Sequence, residues 1–188
     1  MYRMKTLGLI AVLALAATAP ATAQLDDKLD SAVAQLMAGV APNQQVKDDC
    51  HQQFLAYFHE LCRKNNTSTI DGFPPEDAAS HYVNALKMSV IDPDRHAGWP
   101  YRHDGRKAAF PILKKRLAES NEPVLMAAVI IPALDNGEVQ YARDVYRALS
   151  ARNEFWAHYL LKTIQLQYYS PDSARQFLAG IYQRDPSK

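Results

Sequence analysis

The side chains best suited to chemistry fall in one stretch. From Ile91 to Lys107 the sequence reads Ile-Asp-Pro-Asp-Arg-His-Ala-Gly-Trp-Pro-Tyr-Arg-His-Asp-Gly-Arg-Lys. His96 and His103, with Asp92, Asp94 and Asp104, are ligand types that zinc accepts. An imidazole beside a carboxylate, as in His103-Asp104, is also a pairing that general acid–base catalysis uses. The spacing matches no established metal site, so no metal ligand, cofactor or catalytic residue is assigned. The stretch also holds Arg95, Trp99, Tyr101, Arg102 and Arg106, and Trp, Tyr and Arg are the residue types that carry most interface energy. The expected binding residues are therefore Arg95, His96, Trp99, Tyr101, Arg102, His103 and Arg106. Trp99 equally suits a plug between two halves of the fold.

Elsewhere the chemistry thins out. His51 and His59 are eight apart, about 12 Å on a helix, too far to share one ion. Cys62 lies three residues from His59, but its surroundings do not match a thiol-protease site. The sequence has no Gly-x-Ser-x-Gly elbow, P-loop or His-Glu-x-x-His element. Three basic clusters stand out: Arg95, Arg102, Arg106 and Lys107; Lys114, Lys115 and Arg116; and Arg143, Arg147 and Arg152. Stacked in register, they would form a basic ridge suited to an acidic protein partner; unstacked, they are solvated helix faces.

The elements that must position these residues are helices. Gly is scarce, at 7 in 188 residues, while Ala and Leu are frequent and β-branched runs are few. Leu25, Leu29, Val33, Leu36 and Val40 form one apolar stripe, and Val46, Cys50, Phe54, Tyr57 and Leu61 form a second. Gly39-Val40-Ala41-Pro42-Asn43 offers a stop, turn and restart between them. The pair should pack as an antiparallel hairpin. A third helix is expected from Pro75 to about Val90, with Pro in its first turn.

Beyond the irregular joint, helices are expected over 108–118, 121–135, 138–150, 153–168 and 171–183, with Asn121 and Asn153 as N-caps. Leu117, Asn121 and Glu122 recur as Leu149, Asn153 and Glu154, and Ala142-Arg143 recurs as Ala174-Arg175. That spacing of 32 is near the period of helical repeats, although the TPR signature is absent. Val124 to Leu134 is apolar nearly all round and should lie at the centre, surrounded by neighbours. Phe155, Trp156 and Tyr159 should pack near it.

Cys50 and Cys62 are the only cysteines. On one straight helix they stand about 18 Å apart, whereas a disulfide needs Cα atoms within roughly 7 Å. With no Gly or Pro between Asn43 and Ile70 to break the helix, they are expected to stay unpaired.

Residues 1–23 read as a leader. Arg3 and Lys5 precede an apolar run from Leu7 to Ala17, and Ala21-Thr22-Ala23 ends in a signal-peptidase pattern, so the mature chain is expected to begin at Gln24. This run is too short to span a bilayer, and the expectation is a periplasmic or secreted protein with no membrane insertion after cleavage. Of 21 basic residues two leave with the leader, so 19 face 20 acidic ones. A near-neutral chain has no general electrostatic reason to bind nucleic acid or anionic lipid.

The sequence thus predicts an all-α protein: a leader over 1–23 and a single domain over 24–188. Within the domain, an N-terminal helical hairpin and third helix (24–90) pack on a C-terminal stack of helix pairs (108–188), HEAT-like or an irregular bundle, across a joint at 91–107. The functional expectation is a protein-binding module without cofactor, such as an inhibitor or an immunity protein against a secreted toxin. Two alternatives stand beside it: a hydrolase or metal-dependent enzyme using the joint, and a binder of a small apolar ligand held by Phe155, Trp156 and Tyr159.

Overall fold

Two buried helices organise the structure. The computed structural model describes residues 21–96, 105–167 and 171–182, and among them the chain is all-α, with nine helices and no strand. The helices are α1 (Ala21–Met37), α2 (Gln44–Lys64), α3 (Pro75–Ile91), α4 (Pro93–His96), α5 (Arg106–Ser120), α6 (Pro123–Asp135), α7 (Val139–Arg152), α8 (Glu154–Gln167) and α9 (Pro171–Tyr182). No described helix is long and apolar enough to cross a membrane. The leader's charged and apolar residues lie outside the described residues, and Ala21-Thr22-Ala23 begins α1.

The N-terminal hairpin forms, but Val40 of the first stripe lies beyond α1 and is exposed. Leu25, Leu29 and Val33 of α1 are buried, as are Cys50, Phe54, Tyr57 and Leu61 of α2. Gly39 takes φ +81°, and the Val40 N–H reaches back to the Gln35 carbonyl at 2.9 Å, a Schellman-type stop that a left-handed residue makes possible. Asn43 then caps α2, its Oδ1 accepting from the Val46 N–H at 3.0 Å. Helix α2 runs unbroken through both cysteines, and both are free thiols.

As expected, α6 is enclosed: every residue from Leu125 to Leu134 is buried, and α3, α5, α7, α8 and α9 pack around it. Helix α3 is the unexpected counterpart. All eleven residues from His81 to Ile91 are buried, with α1, α2, α5 and α6 as neighbours. Among them are His81, Asn84, Lys87 and Ser89, so the burial is not an apolar pattern.

Two local expectations change. Asn121 does not cap α6; it ends α5 in the left-handed region at φ +57°, and Pro123 opens α6 behind Glu122. Asn153 keeps its expected role, its Oδ1 accepting from the Trp156 N–H at 3.1 Å. The two residues that align across 32 positions therefore serve opposite ends of helices. The described ends of the joint are helical. Ile91 ends α3, α4 covers Pro93–His96, and α5 begins at Arg106.

Candidate binding site

Of the seven expected site residues, Trp99, Tyr101, Arg102 and His103 lie outside the described residues. The other three are drawn into the fold. The Arg95 guanidinium bridges two carboxylates, Asp92 on its own corner and Asp48 of α2, the latter at 2.6 Å. It holds the Asp48 carboxyl below its usual range, chiefly through that hydrogen bond. His96 is buried, and its Nε2 lies 2.9 Å from Nδ1 of His51 on α2. Arg106 pairs with Asp135 at the end of α6, tying the start of α5 to it. Among the described residues no group of three His, Cys, Asp or Glu is placed to hold a metal ion.

The basic clusters do not align into a ridge. Arg116 turns toward α3, donating to Ser80 Oγ at 3.0 Å and the Glu76 carbonyl at 3.2 Å. Lys114 lies 4.7 Å over the Tyr141 ring of α7, on another side of α5. Arg143 reaches the Gln176 carbonyl of α9, and Arg147 pairs with Asp144. Arg116, Lys114 and Arg143 each reach a different helix, whereas Arg147 pairs within α7. The aromatic trio is core: Trp156 is 2% exposed, Phe155 and Tyr159 meet it edge-on, and the Tyr159 hydroxyl lies 2.6 Å from Ser89 Oγ.

The structure instead forms a cleft of about 490 Å³ where α1, α2, α3, α5 and the start of α6 converge. That volume lies within the range of small-ligand and side-chain pockets. Its floor is polar and buried. Tyr57, Asn84 and Lys87 are 3%, 4% and 6% exposed. Such groups are costly to bury unpaired. Lys87 Nζ meets Asp30 of α1 at 2.7 Å, and Tyr57 and Asn84 share the floor beside it. Burial pushes the phenol well above its usual range. The charges of Asp26 and Asp77 add to this, and Arg116 and Asn84 oppose it.

The walls carry more acid than base. Asp26, Asp30, Glu60, Asp77 and Glu122 face Lys64, Lys87 and Arg116. Lys64 is held by Asp77 at 2.9 Å, and Asn65 donates to the same carboxylate at 2.8 Å. Burial raises the Asp77 carboxyl, but these hydrogen bonds outweigh it and leave it below its usual range. Asp26, Glu60 and Glu122 have no ion-pair partner among the described residues. Arg116 is bound there only to the neutral oxygens already named.

Little in the sequence marks this cleft. Its lining comes from five helices, and Asn84 and Lys87 look like ordinary solvent-facing positions of a helix. Comparison with protein-family models, with curated proteins and with solved structures finds no match to this chain.

Proposed function

We propose that this protein is an exported helical binding module that holds a protein partner, in the manner of an inhibitor or immunity protein, by taking a basic side chain of that partner into the cleft. The observation that carries this reading is the mismatch inside the cleft. Lys64 and Lys87 are already matched to carboxylates, while Asp26, Glu60 and Glu122 are not. A lysine or arginine from outside would reduce the acidic excess, and charge complementarity of this kind steers association and selects partners. The floor suits recognition. General acid–base catalysis favours groups that titrate near working pH, whereas Tyr57 is pushed far above it and stays a hydrogen-bonding phenol.

The test begins with a photo-crosslinking residue at position 122 in the exported protein. The captured partner is identified, purified and titrated against wild type and Glu60→Lys/Glu122→Lys. The double variant should fold normally and bind at least about tenfold more weakly, since like charges then face each other across the interface. Wild-type affinity in the double variant would end the reading.

A further inference from the structure

His51 and His96 meet across 45 residues of chain, with Nδ1 of one 2.9 Å from Nε2 of the other. At that distance one ring must donate and the other accept. A neutral pair satisfies this, and so does a pair holding one added proton. A pair holding two does not, because each nitrogen then aims a hydrogen at the other, between two positive rings. Solvent cannot relieve the conflict in place. His96 is 2% exposed, and the Phe54 ring of α2 stands edge-on to it at 5.9 Å.

The charged surroundings complete the arrangement. From α2, Asp48 lies one turn before His51. From the α3–α4 corner, Asp92 and Arg95 flank His96. The carboxylates that would welcome a second proton, Asp48 and Asp92, are both engaged by Arg95. Behind Phe54, His81 of α3 stacks on its ring at 5.2 Å. None of the residues in this corner lines the cleft, so the two places can be tested separately.

We propose that His51 and His96 form a proton-operated clasp, which holds α4 on α2 while at most one ring is charged and releases it when both are. Burial holds the His96 imidazole below the usual histidine range; the nearby His51 and Arg95 charges add to that, and Asp92 opposes it. The folded chain therefore binds fewer protons than the unfolded one below the ordinary value of 6.5. Stability is full above that value and falls as the pH drops through it.

Imidazole resonances of the full chain, followed by NMR from about pH 8 to about pH 4.5, test the clasp directly. Variants His51→Gln and His96→Gln supply the assignments. The pair should titrate in two steps more than about one unit apart. The lower step should coincide with movement of the 94–96 amides. Thermal melting adds a second readout. Wild type should lose more melting temperature between about pH 7.5 and about pH 5 than His51→Gln, whose amide stays neutral throughout. Two imidazoles titrating together at ordinary midpoints would overturn the proposal. So would α4 amides that stay still through the lower step, or an acid loss equal in wild type and variant. Where a variant fails to fold, through-bond assignment of the wild-type imidazoles takes its place, and the wild-type titration decides the matter.

Discussion

Helices α3 and α6 are both enclosed on every side, and they reach that state by opposite chemistry. From Val124 to Leu134, α6 carries no polar side chain, so its neighbours need only supply shape. Helix α3 buries His81, Asn84, Lys87 and Ser89, and its neighbours must supply partners. Asp30 of α1 answers Lys87, Tyr159 of α8 answers Ser89, and Asn84 shares the cleft floor with Tyr57 of α2. His81 sits among the rings of Phe54, Tyr57, Phe58 and Phe73. A made hydrogen bond contributes only about 1 kcal/mol net, but a buried group left without one costs about 1–3 kcal/mol. Each polar group on α3 therefore fixes the rotation of the helix against one particular neighbour. Packing alone fixes α6. The cleft lies along the polar helix, where buried partners already hold the walls in place.

The contrast is broken most severely in α6. Ile130 is fully buried, and Ile130→Asp places a charge in a segment, Val124 to Leu134, that carries no polar side chain. The expected loss is about 5 kcal/mol or more, enough to prevent folding. Circular dichroism and urea denaturation measure it. A variant that melts with the parent would show that α6 is not the centre of the fold.

On α3 the effect depends on which partner is removed. Asp30→Ala leaves the buried Lys87 ammonium without its carboxylate. The loss should be about 2 kcal/mol, less than for a fully buried pair because Asp30 itself is largely in water. Lys87→Met removes the charge and keeps the volume, and should stay within about 1 kcal/mol of wild type. A Lys87→Met variant weaker than Asp30→Ala would mean that charge pairing is not what seats α1 on α3. A smaller effect is expected at the other end of the helix. Tyr159→Phe removes the hydroxyl that faces Ser89 and should cost about 1 kcal/mol. Ser89 keeps its bond to the Leu86 carbonyl at 2.6 Å, so it is not left unsatisfied.

What the sequence showed and what it hid follow the same division. Periodicity exposes a helix whose burial is apolar, so the stripes of α1 and α2 and the enclosed segment of α6 were all legible. It places α3 itself but cannot show its all-round burial, because His81, Asn84 and Lys87 resemble a solvent face until other helices pack against them. Of the expected site, Arg95 and His96 were visible as chemistry-bearing residues. Their partners Asp48 and His51 lie nearly fifty residues away on a helix whose pattern records only its apolar side. Asn121 and Asn153 show the limit of identity as a guide. Both are Asn at a helix boundary, but one follows a helix in the left-handed region and the other caps the next helix from extended backbone. An Asn suits either role, and only the following Pro123 distinguishes the first.

The smallest expected effect on stability lies where α6 touches the cleft. Glu122 precedes Pro123 at the start of α6, is exposed, and makes no side-chain cap hydrogen bond. Its carboxylate gains only a surface interaction with the helix dipole, of the order of 0.3–1 kcal/mol. Glu122→Gln should therefore shift stability by no more than about 0.5 kcal/mol. Binding should respond differently. A charge at the mouth of an interface acts mainly on the rate of encounter, and its influence fades as salt shortens the screening length to about 8 Å at physiological ionic strength. With the purified partner, Glu122→Gln should lower the association rate severalfold at low salt and very little at high salt, and leave dissociation nearly unchanged. A variant that associates at the wild-type rate at every salt concentration would take Glu122 out of the encounter surface. A variant that changes dissociation alone would make Glu122 a buried contact of the complex.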